Sequence, residues 1–373
     1  MFAVIHEATP AELDDWDAHT VDVPGGDVFQ SRTFGEYRGR HGWRPRFLVF
    51  DDGFCLLAME RPWPWIGGSS VYMPRGPVAA GEAPERTADR VREAADWLAA
   101  RGADVVATDA EIPSAAGYRE LLAARGFRAI EEIQVARHRQ AVDLEAIEAD
   151  QFRLIDPSTR GRIRQAEKWG ARVVRFDARI APDEIEGAFE PLPAGALKPE
   201  ALEPILRAFH VILGTTADRL GFRNLLFGVD NFIDWSTHAI TAGLAVYLEV
   251  RAPEGELLGG SLFHRNGRRL TYAYAADRYD VRKAHPGVLH LLVWRGIQLA
   301  MRGGLREFDL GGVDVPGARR KPIDGEGTFG LLKFKEAFGA HWVDQSGAFE
   351  WVARPSRYAL GRVLAGVARR VRR

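Results

Sequence analysis

The sequence predicts a mixed α/β fold built from two tandem copies of one unit, and three observations carry that reading. A helix-to-strand junction occurs twice, about two hundred residues apart: Trp97 to Asp109 (WLAARGADVVATD) and Leu299 to Asp309 (LAMRGGLREFD). Each copy also holds apolar runs joined at hairpin turns, Asp51-Asp52-Gly53 in the first, Glu254-Gly255 and Asn266-Gly267 in the second. The 373 residues are 46% hydrophobic and 27% charged, enough for two domains with a core each.

Taken in order, the chain opens with a strand from Phe2 to His6. A helix then starts at Thr9-Pro10, with Glu12 placed for a capping box. Val28-Phe29-Gln30-Ser31 leads into a helix from Arg32 to Arg40. A hairpin follows, Arg46–Phe50 with Phe54–Arg61, and then a strand and turn from Val71 to Val78. Pro84 to Ala100 is a long amphipathic helix closed by Arg101-Gly102. Val105–Asp109 is a strand, Ala115–Ala124 a helix ended by Gly126, and strand resumes at Phe127. Residues 156–240 read as a helical stretch broken by Pro191, Pro193 and Pro199. The second copy then follows. Its strands are Leu244–Val250, Leu257–His264 and Leu270–Ala275, its helix Gly287–Arg302, and its last strands Arg306–Leu310 and Phe338–Trp351. The expected modules are residues 1–153, completed by 350–373, and 154–349 with the helical segment 156–240.

A formal net charge of −1 gives no global field toward nucleic acid or a membrane. The single cysteine, Cys55, lies in an apolar run and reads as a core residue; with no partner it excludes an internal disulfide. No basic leader precedes an apolar core and no apolar run reaches a bilayer's span, so the expectation is a cytoplasmic protein. The histidines lack metal-ligand spacing, and no metal is expected. Local charge is different. From Ser356 to Arg373 apolar residues recur at helical spacing among arginines, as in a helix on an anionic membrane surface; docking on the first module and RNA contact are the alternatives. The arginines between Asp156 and Gly170 read as a solvated face or as contacts to a polyanion such as tRNA or a nucleotide diphosphate.

The densest stretch is Gly327 to Phe349. As a strand, Lys333 and Lys335 share one face; as a helix, Leu331, Phe334, Ala337 and Phe338 form the buried stripe and Lys335 stays at the rim. Either way a cation is held beside aromatic rings.

The repeated strand–hairpin–strand–loop–helix–strand order resembles tandem modules of the GNAT acyltransferase fold. The loop that would hold a CoA pyrophosphate reads Arg282-Lys283-Ala284-His285-Pro286-Gly287, where a histidine and a proline replace the expected glycine and an N–H donor. A narrower match is to the FemABX family, transferases that move amino acids from aminoacyl-tRNA to peptidoglycan precursors. It is carried in order by Val28–Ser31, Arg75-Gly76-Pro77-Val78, Arg160–Gly170, Tyr272–Ala275, Phe308-Asp309-Leu310-Gly311-Gly312 and Leu331-Leu332-Lys333-Phe334-Lys335 with Phe338-Gly339. Residues 180–240 are too short and proline-broken for the coiled-coil arm of the longer members.

That resemblance implies an aminoacyltransferase with aminoacyl-tRNA as co-substrate, no other cofactor, and a stem-peptide amine as acceptor, on UDP-MurNAc-pentapeptide or lipid II. The family's Phe-Lys pair falls on Phe334 and Lys335, with Lys335 stabilising charge on the ester carbonyl. Arg38 and Arg223 fall at the cations that hold the precursor's diphosphate, and Tyr274, with Tyr272 on the same strand face, at an aromatic substrate contact. Asp109 is a candidate proton acceptor or a loop cap. An acyl-CoA-dependent N-acyltransferase and a binding-only tandem protein are the competing readings.

Overall fold

The computed structural model describes residues 4–179, 189–190, 192–220 and 228–371. It divides into two compact units, Met1–His138 with Val343–Arg373, and Arg139–Trp342.

The first unit opens with β1 (Ile5–Glu7), α1 (Pro10–Asp14) and α2 (Trp16–Thr20), followed after a short turn by α3 (Arg32–Arg40). The capping box at the start of α1 is formed by Thr9 and Glu12. Next come β2 (Arg44–Phe50), β3 (Cys55–Pro62), β4 (Ser69–Met73), α4 (Pro84–Ala100), β5 (Ala103–Thr108), α5 (Tyr118–Ala124) and β6 (Arg128–Ala129). Two late elements complete the unit, β14 (Phe349–Val352) and α12 (Pro355–Val371). The sheet order is β1-β2-β3-β4-β5-β14-β6. Gln30 explains the Val28–Ser31 motif. Its buried amide accepts from Leu57 N at 2.8 Å and donates to the carbonyls of Leu57 and Pro74, pairing with the backbone where no strand lies. Ala88, Val91, Ala94, Ala95 and Leu98 of α4 make its buried stripe against Leu56, Val71 and Val106.

The second unit contains β7 (Arg139–Asp143), α6 (Glu148–Leu154), α7 (Pro157–Lys168), β8 (Arg172–Phe176), α8 (Pro199–Leu220) and α9 (Val229–Thr241). These are followed by β9 (Ala245–Arg251), β10 (Leu257–Asn266), β11 (Arg269–Asp277), α10 (Val288–Arg302), β12 (Glu307–Asp309), α11 (Phe329–Glu336) and β13 (His341–Val343). The order here is β13-β7-β12-β11-β10-β9-β8. Gly296 lets α10 close onto the sheet, since a Cβ there would stand 2.7 Å from Phe263 and 2.9 Å from Phe308.

Both sheets share a plan. An antiparallel meander ends in a strand that crosses through a long helix to a parallel neighbour, β4–α4–β5 in one unit and β11–α10–β12 in the other. These are two GNAT-like α/β modules in tandem.

Two sequence expectations are corrected. The stretch 156–240 is not wholly helical: after the turn at Gly170, Arg172–Phe176 pairs antiparallel with β9, as its Val173-Val174 pair favours. Phe338–Trp351 is not one strand. Phe338 lies in the turn after α11, His341–Val343 forms β13, and Phe349–Val352 inserts between β5 and β6 of the other sheet.

Candidate active site

In the second unit β12 ends at Asp309, whose Oδ1 accepts the Gly311 N–H at 2.7 Å. Gly311 takes a positive φ of 71°, open to glycine without strain, and this turns the next two carbonyls toward α11. Lys335 Nζ donates to both, at 3.0 Å to Gly311 O and 3.1 Å to Gly312 O. Lys335 is 4% exposed. The expectation of a rim position on a helical stripe is therefore corrected: Leu332 and Lys335 are the buried pair of α11 and Leu331 faces solvent. A buried cation needs polar partners, and the paired glycine carbonyls supply them. Burial lowers the Lys335 pKa to about 7, with Asp309 and Asp314 pulling it partly back. An ammonium has three N–H groups, and the two carbonyls engage two of them.

Phe334 stands beside this cation, its ring centroid 5.2 Å from His290 and 5.4 Å from Phe338. Burial, with the nearby Arg162 charge, lowers the His290 pKa to about 4, so its imidazole is neutral at pH 7. The loop at 282–287 is held by packing at both ends, with Lys283 and Ala284 exposed between them. Arg282 is held by Asp277, His285 lies edge-on to Trp169, and a Cβ on Gly287 would meet the Arg162 carbonyl at 2.2 Å. Pro286 offers no N–H, and the Gly287 backbone abuts α7 where a pyrophosphate would have to sit. The loop is built for packing.

Tyr272 and Tyr274 do not share a face. Tyr272 pairs with Phe263 and Tyr274 with Leu262, so Ala273 is an extra residue that breaks the alternation. The Tyr272 ring packs on Phe263, 5.7 Å away, and the Tyr274 ring packs edge-on to Phe232 of α9 at 5.3 Å. Arg223 lies outside the described residues.

The other two candidates belong to the first unit. Arg38, near the end of α3, lies 4.9 Å over the Trp43 ring, with Arg61 at 5.4 Å from the same ring. Desolvation lowers the Arg38 pKa, and the like charge of Arg61 adds to this. Two guanidiniums sharing one indole form an anion-seeking surface. No spacing in the sequence signals this pairing, because Trp43 and Arg61 meet only where β2 and β3 lie side by side. Asp109 is buried at the end of β5. Its Oδ1 accepts the Arg75 N–H at 2.7 Å, its Oδ2 accepts the Tyr72 hydroxyl at 2.9 Å, and Arg75 Nη1 is 3.6 Å away. Burial raises its pKa, opposed by Arg75. Its contacts fix the loop before α4.

Among the described residues, no group of three His, Cys, Asp or Glu side chains converges to hold a metal ion. Cys55 is buried, which pushes its thiol up to about 11.

Residues 247–365, which include Lys335 and its glycine turn, match the FemAB family. The chain is 29% identical over 115 residues to a lipid II:glycine glycyltransferase of Staphylococcus saprophyticus, which is 31% of this chain and 26% of that one. A Staphylococcus epidermidis protein of the same name is 29% identical over 137 residues, 37% of this chain and 31% of its own. The chain thus aligns with about a quarter to a third of these relatives' length. Among solved structures, FemX superposes with a TM-score of 0.75 at 18% identity, over 96% of this chain and 99% of FemX. L-PGS from Bacillus licheniformis follows at 0.53 and 14%, over 99% of this chain and 98% of that one. These two likenesses concern the fold. The likeness to the FemAB family thus rests on residues 247–365 of this chain.

Proposed function

We propose that this protein transfers an aminoacyl group from aminoacyl-tRNA to an amine of a peptidoglycan-precursor stem peptide, as carried by UDP-MurNAc-pentapeptide or lipid II. The observation that carries the reading is Lys335, a buried ammonium held by two glycine carbonyls, in the region that matches the family. The stem-peptide amine attacks the ester carbonyl, a C–N bond forms, the ester C–O bond breaks, and the 3′-hydroxyl of the tRNA leaves with a proton. Negative charge gathers on the carbonyl oxygen in between, and Lys335 stabilises it. Phe334 and Tyr272 border the acyl group, with Tyr274 reserved for the acceptor. Arg38, with Arg61, takes the precursor's diphosphate and Arg223 assists, while Asp109, read in the sequence as a proton acceptor or a loop cap, serves as the cap.

The tRNA assignment draws support from α7. Its only carboxylate, Glu167, is engaged by Arg295, and Arg162, Arg164 and Lys168 stand exposed to meet phosphates. Both co-substrates place the reaction in the cytoplasm. The packed 282–287 loop speaks against acyl-CoA as the donor.

The test is transfer assayed with aminoacyl-tRNA and UDP-MurNAc-pentapeptide, for wild type and Lys335→Ala. Transfer by wild type, lost in the variant with precursor binding retained, is the expected result. Micromolar binding of acetyl-CoA with no binding of the precursor would overturn the reading.

A further inference from the structure

The last helix is amphipathic the wrong way round for a helix lying on a protein. Its inner side is tightly fixed. Gly361 sits so close to the Trp63 indole that a Cβ would stand 2.3 Å from it, and the Tyr358 ring is 6.2 Å from Trp63. Arg357 donates to Asp104 at 2.8 Å, Trp63 Nε1 donates to the same carboxylate at 2.8 Å, and Arg354 binds the Ala99 and Ala103 carbonyls. The side facing solvent should then be polar. Instead Leu360, Val363 and Val367, at helical spacing, are 49%, 64% and 45% exposed.

A second apolar group stands on the loop that grips the helix. Two residues after Trp63, Trp65 is 70% exposed at a positive φ of 64°, a backbone state that few non-glycine residues hold. Trp65 lies outside the described apolar clusters of the first unit. Around the stripe the charge has one sign: after Glu350 the chain carries no Asp or Glu and seven arginines, among them the exposed Arg362 and Arg370.

We infer that α12 and the Trp65 loop seat the first unit on an anionic lipid surface. Leucine and valine enter the acyl boundary, the indole takes the interfacial level that tryptophan favours, and the arginines meet lipid phosphates. Charge selects this occupant over a second copy of the chain, because two such helices face to face would bring arginine against arginine. The inference stands apart from the transfer reaction and is tested without it.

The test is co-sedimentation of the full chain with phosphatidylcholine vesicles, with and without phosphatidylglycerol, at low and high salt. Wild type should pellet with the anionic vesicles, less so at high salt, and stay in solution with phosphatidylcholine alone. A Leu360→Glu, Val363→Glu, Val367→Glu triple variant should lower vesicle partitioning at least tenfold, and Trp65→Ala a few-fold, both with unchanged circular dichroism. Equal pelleting of the triple variant and wild type would overturn the inference, as would wild type that ignores both vesicles. So would a dimer in light scattering that the triple variant dissolves, which would assign the stripe to a second copy.

Discussion

Asp109 and Asp309 occupy matching places, each at the end of the strand that follows its unit's long helix, and each accepts a backbone N–H from the turn beyond or beside it. The cations beside them differ. Asp109 faces Arg75, a guanidinium that is charged at every accessible pH, and so locks a loop. Asp309 faces Lys335, an amine whose pKa burial has brought to about 7. One scaffold position thus serves rigidity in the first unit and an adjustable charge in the second. A lysine can be tuned by burial in a way an arginine cannot.

The contrast breaks first if Lys335 turns out to be structural. Lys335→Ala should reduce transfer on the order of 10²- to 10³-fold, the usual cost of removing one oxyanion donor, with little loss of thermal stability. Asp109→Asn should do the opposite. It keeps an acceptor for the Arg75 N–H but removes the largest charge facing the buried guanidinium, leaving Glu111, 3.5 Å away, and the more weakly felt Asp27. The expected cost is roughly 3 kcal/mol of unfolding free energy, read from denaturant titration.

A third measurement sharpens the point through pH. Because the folded pKa of Lys335, about 7, lies below its ordinary 10.5, the unfolded chain binds the extra proton between those values. The penalty for burying the charge is therefore complete below pH 7 and fades as pH rises toward 10.5. Lys335→Met should unfold about 1–2 kcal/mol less easily at pH 6, with the gain vanishing by pH 10 to 11 in parallel thermal melts. The smallest effect is the most pointed. Asp309→Asn keeps an acceptor for the Gly311 N–H but removes a charge that raises the Lys335 pKa. The alkaline limb of the rate profile should move to lower pH, and transfer at pH 7 should drop a few-fold. An unmoved limb would show that Lys335 does not need its proton.

Much of the fold was legible because it rests on local signals. The α4 boundaries follow from Pro84 and Arg101-Gly102, the hairpins from Asp-Gly and Asn-Gly turns, and the two-copy plan from the repeated junctions. Lys335 was legible as a residue but not as an environment. Ordinary helical periodicity puts a lysine at the rim, and its burial depends on two carbonyls more than twenty residues earlier in the chain. The tyrosine pair failed for a similar reason: strict alternation holds only until one extra residue enters, and the bulge at Ala273 is set by pairing with β10. β8 was missed because a five-residue edge strand inside a helical stretch carries a short signal. Arg61 and Trp43 were missed because they meet across strands.

The position of β14 has a consequence for synthesis. The second unit is one continuous segment, Arg139–Trp342, and can finish folding as it leaves the ribosome. The first unit, though begun earlier, waits for Phe349–Val352 to fill the gap between β5 and β6. Until then β5, the strand that carries the chain to Asp109, presents an open edge of unpaired backbone groups. The half made first is thus completed last, and a nascent chain stalled before Phe349 would hold a finished second unit beside a first one still open to strand exchange.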